Sequence, residues 1–229
     1  MTAVLVAVCA ALGLIAGYVL DGVATRVPER QPVLAAGYRD DIQPRRAAFL
    51  AFGCGALFAG MALRFDDSWA LPAYLVLSAG LLVLSVIDLE HFLLPNRVVY
   101  PTGVAVLALL GLAAVGDDAG SAFVRALLGG ATAFVGLLVL HLVSPRSLGF
   151  GDVRLAFVLG MALGWLGWGE VALGLFLGFF YGAVVGVGLI VTRARTRKDH
   201  VPFGPFLAAG TITVVLWGEP ILRWYQSGS

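Results

Sequence analysis

Charged residues are scarce in this chain. Only 13% of its 229 residues are Asp, Glu, Lys or Arg, whereas 60% are hydrophobic, and the mean hydropathy is +0.94. A soluble domain is roughly 45–50% apolar and about 25% charged. The composition therefore excludes an ordinary soluble domain and predicts an integral membrane protein.

Closely spaced metal-binding or disulfide-forming side chains are also missing. The two cysteines, Cys9 and Cys54, stand in separate apolar runs and form no Cys-x-x-Cys pair. This spacing argues against a zinc ribbon or a disulfide framework, and it predicts two buried thiols. The histidines at positions 91, 141 and 200 show no paired ligand spacing either. We therefore expect neither a bound metal nor another cofactor.

Eight apolar runs are candidates for membrane helices, which need about 20 residues, or fewer when packed in protein. They cover residues 2–23, 47–63, 70–87, 98–115, 121–143, 154–167, 170–192 and 203–219. No basic residue precedes the first run, so we interpret it as a retained helix rather than a removed signal peptide. The sequence thus predicts an all-α, polytopic membrane protein in which residues 1–229 form a single domain.

The distribution of Lys and Arg predicts that the N-terminus lies outside. With that orientation, twelve of the 15 Lys and Arg residues fall on the cytoplasmic side and three on the outer side. The cytoplasmic set is Arg26, Arg30, Arg39, Arg45, Arg46, Arg97, Arg146, Arg154, Arg193, Arg195, Arg197 and Lys198. Asp88 and Asp152, which play no part in this count, then both lie at cytoplasmic helix ends.

These two aspartates stand at the edges of apolar runs, where a carboxylate is costly. A charged side chain at the bilayer centre costs about 2.5–3.5 kcal/mol on insertion scales. Asp88 closes the third run, and Asp152 opens the sixth directly after Gly149-Phe150-Gly151. Glycines let backbone and substrate approach closely, so the arrangement indicates an acid–base pair. Two alternatives stay open: Asp152 caps a helix, and Asp88 is a snorkelling charge or pairs with Arg97.

Two carboxylates within hydrogen-bond distance of each other share a proton, because both cannot easily ionise. The ionised partner can draw a proton from water while the protonated partner polarises a peptide carbonyl. Such a pair hydrolyses an amide without a metal or a nucleophilic side chain. Asp88 and Asp152 are therefore predicted to form a catalytic dyad at the membrane edge.

Three further features have structural interpretations. Asp21, near the inner end of the first run, is either a third carboxylate of the site or, as we favour, a polar anchor paired with Arg26. Glycines at every fourth position of the seventh run, within residues 174–186, predict a face for backbone-to-backbone helix packing. The basic cluster at residues 193–198 predicts either stabilisation of the membrane topology or contact with anionic membrane lipid, not nucleic-acid binding.

Four separated segments resemble signatures of the bacterial prepilin peptidases, which are intramembrane aspartic proteases of the Gly-x-Gly-Asp kind. Ile87-Asp88 followed by Leu94-Pro95-Asn96 is similar to the first catalytic motif, and residues 149–155 are similar to the second. Residues 201–210 resemble the motif that opens the last helix, and residues 17–28 resemble the motif that ends the first. The four occur in the family's order over nearly the whole chain.

The resemblance implies a catalytic pair, a substrate class and a location. Asp88 and Asp152 would cleave prepilin or pseudopilin precursors of a type IV pilus or protein secretion system, removing a short basic leader at the cytoplasmic face of the bacterial inner (plasma) membrane. The resemblance also implies that five residues shape the site, namely Gly149, Gly151, Pro95, Asn96 and Arg154. Arg154 stands where the family often has lysine.

Two departures from the family pattern concern residues 26–46 and Asp21. Members that also methylate the new N-terminus usually carry a larger first loop with paired Cys-x-x-Cys motifs. Here the loop 26–46 is short and contains no cysteine, so we do not carry zinc or methyltransferase activity over to this chain. S-adenosylmethionine is expected only if methylation is retained. Asp21 stands where the family commonly has asparagine.

Two functions from other classes stay open on the residues alone. Intramembrane carboxylates also serve as proton relays, so Asp88 and Asp152 are compatible with a small proton-coupled transporter. A non-catalytic partner in pilus assembly is the other alternative.

Overall fold

The computed structural model describes residues 2–29, 31, 42–145, 148–192 and 202–227, and the regular secondary structure within these ranges is helical. The helices are α1 Thr2–Arg26, α2 Pro44–Phe65, α3 Leu71–His91, α4 Asn96–Gly116, α5 Gly120–Val143, α6 Phe150–Leu166, α7 Trp168–Val191 and α8 Gly204–Ser227. The predicted all-α fold is confirmed. Of these helices, seven are long and apolar enough to cross a membrane, and the 17-residue α6 is the exception.

Three of the helices extend by at least four residues at one end beyond the predicted apolar runs. α3 continues through Asp88 to His91, α6 already starts at Phe150, and α8 continues through Pro220 to Ser227. Hydropathy marks only the apolar part of a helix, whereas the helix itself continues while its backbone groups find partners. Asp88 and Asp152 therefore lie inside helical turns.

The helices form two compact units, Met1–Gly120 and Ser121–Ser229. The first contains α1 to α4, and the second contains α5, from its second residue onwards, to α8. The single domain predicted for residues 1–229 stays a prediction.

α3 supplies much of the core of the first unit. Leu77, Leu81, Leu84 and Ile87 are each at most 1% exposed. They recur every three or four positions, which places them along one side of the helix, and α3 packs against α1, α2 and α4. The thiol of Cys54 is buried as well, as is that of Cys9, which confirms the prediction for both cysteines.

α1 and α2 pack with their backbones in close approach. A Cβ atom at Gly13 would lie 2.6 Å from the carbonyl oxygen of Cys54, and one at Gly17 would overlap the carbonyl oxygen of Leu50. Each step of four residues along α1 is thus matched by a step of four residues back along α2. The next step of this antiparallel register reaches the polar ends of the two helices.

α6 lies in the interior of the second unit and packs closely on α5. A Cβ atom at Gly160 would lie 2.5 Å from the carbonyl oxygen of Gly129. At the end of α6, the Arg125 guanidinium donates to the carbonyl oxygens of Gly164 at 2.8 Å and Trp165 at 2.7 Å. Arg125 therefore satisfies carbonyls that have no partner within the helix itself.

The glycine stripe of α7 is a packing face over most of its length. Cβ atoms at Gly174 and Gly178 would lie within 3.0 Å of side chains on α6 and α8, and one at Gly182 would lie 3.0 Å from the ring of Phe203, just before α8. Gly186 faces open space. On α8, a Cβ atom at Gly210 would lie 2.5 Å from the backbone nitrogen of Gly178. The predicted backbone-to-backbone packing is confirmed for Gly174 and Gly178, whereas Gly182 packs on aromatic side chains.

Candidate active site

Asp88 lies in the last turn of α3 and is only 5% exposed. Its backbone carbonyl accepts the N–H of Phe92 at 2.9 Å, and Phe92 adopts a left-handed conformation with φ 54°. A left-handed residue directly after the last turn is a common way to end a helix, although glycine is usual there. The burial of Asp88 disfavours the snorkelling alternative, because a snorkelling charge reaches water.

Pro95 and Asn96 begin the next helix. Pro95 has an extended backbone, with φ −70° and ψ 131°, and its carbonyl accepts the N–H of Val98 at 2.9 Å and of Val99 at 3.1 Å. Asn96 is the first residue of α4. Proline suits a helix start because its φ is fixed and it has no N–H to leave without a partner. Pro95 thus turns the chain into α4 within a few residues of Asp88.

Asp152 is the third residue of α6 and is 6% exposed. Its Oδ2 atom accepts the backbone N–H of Gly149, the residue before the helix, at 3.1 Å. This is one half of a capping box, and Gly149 has no side chain to supply the other half. A Cβ atom at Gly149 would lie 3.2 Å from Oδ2, which is tighter than ordinary van der Waals contact. Glycine at this position therefore leaves room for the Asp152 carboxylate at the helix start. The helix cap that the sequence analysis gave as an alternative for Asp152 is present in the structure.

Gly151 and Arg154 share the first turns of α6 with Asp152. The Arg154 guanidinium carbon lies 4.5 Å from the centre of the Phe150 ring, which is within the range of a cation–π interaction. Phe150 is itself 40% exposed. Gly149, Gly151, Asp152 and Arg154 thus all lie at the start of one helix, and their role in shaping a site stays a prediction.

His141 is a neighbour of this segment that the sequence analysis considered only as a metal ligand. Its Nδ1 atom lies 2.7 Å from the carbonyl oxygen of Leu148, the residue before Gly149, and its ring centre lies 5.6 Å from that of Phe150. Because a carbonyl can only accept, Nδ1 carries the proton in this contact. His141 thus ties the end of α5 to the segment that leads into Asp152. The sequence gives no signal of a contact across this loop.

Asp21 is fully buried near the end of α1. Its carboxylate accepts the backbone N–H of Gln43 at 2.7 Å and the Nε–H of Arg46 at 2.5 Å. The prediction of a polar anchor agrees with these contacts, but the partner found for the carboxylate is Arg46 of α2 and not Arg26. Arg46 in turn binds Glu90 of α3, with Nη1 2.8 Å from Oε2.

Some predicted features lie outside the residues that the structure describes, and others concern a metal site and the dyad. In the part of the chain that the structure describes, no group of three His, Cys, Asp or Glu side chains could hold a metal ion. The basic cluster at 193–198, His200, most of the loop 26–46 and the first residue of the 201–210 segment lie outside the described residues. Asp88 belongs to the first unit and Asp152 to the second, and their meeting in a dyad stays a prediction.

The described residues have the features of one class of protein. The fold is that of a polytopic α-helical membrane protein, and the buried acidic side chains at Asp21, Asp88 and Asp152 all lie within a few residues of helix ends. Acidic groups in such positions are costly and mark functional sites or ion pairs.

Comparison with known proteins gives the family. The model of the type IV leader peptidase family matches residues 75–187, a segment that contains both Asp88 and Asp152. The prepilin leader peptidase/N-methyltransferase of Bacillus subtilis strain 168 is 31% identical over 179 residues, which cover 78% of this chain and 68% of that protein. The chain belongs to the type IV leader peptidase family.

Proteins of the same name from other bacteria are similarly related. That of Aeromonas salmonicida strain A449 is 33% identical over 175 residues, or 73% of this chain and 56% of the relative. That of Pseudomonas aeruginosa is 34% identical over 176 residues, or 74% of this chain and 58% of the relative. The chain thus spans little more than half the length of these two curated relatives. No solved structure matches it.

Proposed function

We propose that this protein is an intramembrane aspartic endopeptidase that removes the basic leader of type IV prepilin-like precursors. The observation that carries the proposal is the burial of Asp88 and Asp152 at helix ends within the segment that matches the family. The relatives named prepilin leader peptidase/N-methyltransferase support prepilin or pseudopilin precursors as the substrate class. They favour neither a transporter nor a non-catalytic partner.

Membrane topology supports a common side for the two carboxylates. Asp88 lies at the end of α3 and Asp152 at the start of α6, and the chain between them includes α4 and α5, both long enough to cross the membrane. Two crossings return the chain to the side from which it left. The excess of Lys and Arg on this side favours the cytoplasmic face of the plasma membrane.

The helix ends suggest how the two carboxylates divide the chemistry. Asp152 lies at the N-terminal end of α6, where the helix dipole favours negative charge, and it accepts the Gly149 N–H. Asp88 lies at the C-terminal end of α3, where the dipole disfavours negative charge. We therefore assign to Asp152 the role of the base that takes a proton from water, and to Asp88 that of the acid that polarises the peptide carbonyl.

The proposal is restricted to the peptidase activity. The names of the relatives include N-methyltransferase, but this chain spans only part of their length and has no Cys-x-x-Cys pair. We propose no metal and no S-adenosylmethionine for the cleavage step, since two carboxylates and a water molecule suffice for it.

Co-expression with a type IV prepilin tests the proposal. Membranes that contain both proteins should yield a pilin whose N-terminal mass lacks the leader, whereas membranes without this protein should retain it. We expect no added methyl group, and the same mass spectrum reports this directly. A prepilin that keeps its full leader in both membranes would contradict the proposed function.

The contact between His141 and Leu148 gives a prediction for the rate. His141→Ala removes the donor that holds the segment before Asp152, and kcat should fall roughly three- to tenfold, since a net hydrogen bond contributes about 1 kcal/mol. In His141→Asn, the side-chain amide can donate from near the position of Nδ1, and most of the rate should return. Steady-state cleavage by the purified variants measures both effects. An asparagine variant as slow as the alanine variant would contradict this role.

A further inference from the structure

Arg46 contacts both of its neighbouring helices at one end of the first unit. It lies in the first turn of α2, and its guanidinium donates to the Asp21 carboxylate at 2.5 Å, to the Asp21 carbonyl oxygen at 3.3 Å and to the Thr25 hydroxyl of α1. The same group binds Glu90, in the last turn of α3, at 2.8 Å. One side chain therefore connects the end of α1, the start of α2 and the end of α3.

We propose that Arg46 and Glu90 are positioning residues for the Asp88 carboxylate. This inference rests on the proposed peptidase function. Glu90 follows Asp88 by two residues, so the two side chains leave α3 in directions about 160° apart. When Glu90 is held against Arg46, the last turn of α3 cannot rotate, and Asp88 is fixed on the opposite side of the helix.

The contact between Arg46 and Glu90 is strengthened by the burial of the Arg46 side chain. An exposed ion pair usually contributes little, because two long flexible side chains must be ordered to form it. Here the side chain of Arg46 is 9% exposed and is already held by Asp21, whose side chain is 0% exposed. Only Glu90, with a side chain 39% exposed, has to be ordered when the second contact forms.

The packing of α1 on α2 explains why Arg46 reaches Asp21. Gly13 and Gly17 approach the α2 backbone at Cys54 and Leu50, and the next step of four residues on each helix is Asp21 facing Arg46. The glycines bring the two backbones together. The guanidinium can then fold back onto the carbonyl of Asp21 as well as its carboxylate. The acidic group at position 21 thus has a partner dictated by helix register.

Replacement of Glu90 provides a test that leaves the buried pair of Asp21 and Arg46 intact. Glu90→Ala removes the acceptor on α3, and we expect kcat for prepilin cleavage to fall about five- to twentyfold with KM changed less than twofold. Glu90→Gln keeps a carbonyl oxygen for Arg46 and should retain at least half of the parental kcat. Arg46→Lys keeps the charge but loses the fork that spans both acids, and it should resemble Glu90→Ala.

Coupling between Arg46 and Glu90 can be measured with a double variant. Because Arg46 and Glu90 act through one contact, the double variant Arg46→Lys with Glu90→Ala should be no more than about twice as slow as the slower single variant. As a matched control, Glu219→Ala breaks an ion pair with Arg223, an exposed pair on α8. This control should cleave at the parental rate.

Hydrogen exchange supplies a readout that does not depend on cleavage. Glu90→Ala should raise amide exchange at Phe92, whose N–H is bonded to the Asp88 carbonyl, at least threefold over the parental protein, and Glu90→Gln should not. An unchanged kcat in Glu90→Ala, or an equal loss in Glu90→Gln, would overturn the inference while parental cleavage stands. A parental protein that cleaves nothing would overturn the proposed function itself, and exchange would still report whether Glu90 holds α3.

Discussion

Asparagine at position 88 or 152 should remove leader cleavage. Each substitution keeps the size of the side chain but takes away the carboxyl group that gives or accepts a proton in the proposed reaction. General acid–base catalysis contributes typically 10²–10⁴-fold, so each variant should lose at least about 100-fold in kcat. The measurement is cleavage of a prepilin by purified protein in detergent or vesicles, followed by gel shift or mass.

A matched control separates chemistry from folding. Asp118→Asn changes the same functional group at an exposed position after α4, and it should cleave at the parental rate. The Asp88 and Asp152 variants should still insert in the membrane and elute like the parental protein on size exclusion. Since the two residues act as a unit, the double variant should be no slower than either single one. Parental activity in either single variant would contradict the dyad.

The roles assigned to the two carboxylates depend on where helices end, which the sequence predicted less well than the helices themselves. Apolar runs located each of the eight helices in the described residues. Seven of these helices are long enough to cross the membrane, which requires about 20 apolar residues for each crossing. The start of α6 was placed too late, because Gly149-Phe150-Gly151 looks like a loop by composition. It is the side chain of Asp152, bonded to Gly149, that starts this helix. A hydropathy profile cannot detect such a side-chain contact.

The partner of Asp21 could not be predicted from the residues near it in sequence. Arg26 is close in sequence, but two residues five apart on a helix point about 140° away from each other, whereas pairs three or four apart are neighbours. The observed partner, Arg46, depends on the register between α1 and α2, and that register is set by glycines whose role appears only when both helices are in view. The sequence alone offered the right residue type and the wrong neighbour.

The same register predicts the largest packing effect in the first unit. A Cβ atom at Gly17 would overlap the carbonyl oxygen of Leu50 and lie 2.6 Å from the Cα atom of Ala51, both on the backbone of α2. Backbone atoms cannot move aside as a flexible side chain can, so Gly17→Ala must push the helices apart. Overpacking of this kind typically costs 1–3 kcal/mol, and we expect a lower midpoint of thermal unfolding in detergent.

Gly136→Ala is the matched control, since nothing lies within 4 Å of a Cβ atom at that position on α5. It adds the same methyl group to another apolar helix and should leave the midpoint unchanged or slightly raised, because alanine favours helix over glycine by about 1 kcal/mol. An unchanged midpoint in Gly17→Ala would mean that α1 and α2 do not approach as described. In that case Asp21 would have no register to bring it to Arg46, and the positioning of Asp88 through Glu90 would lose its foundation.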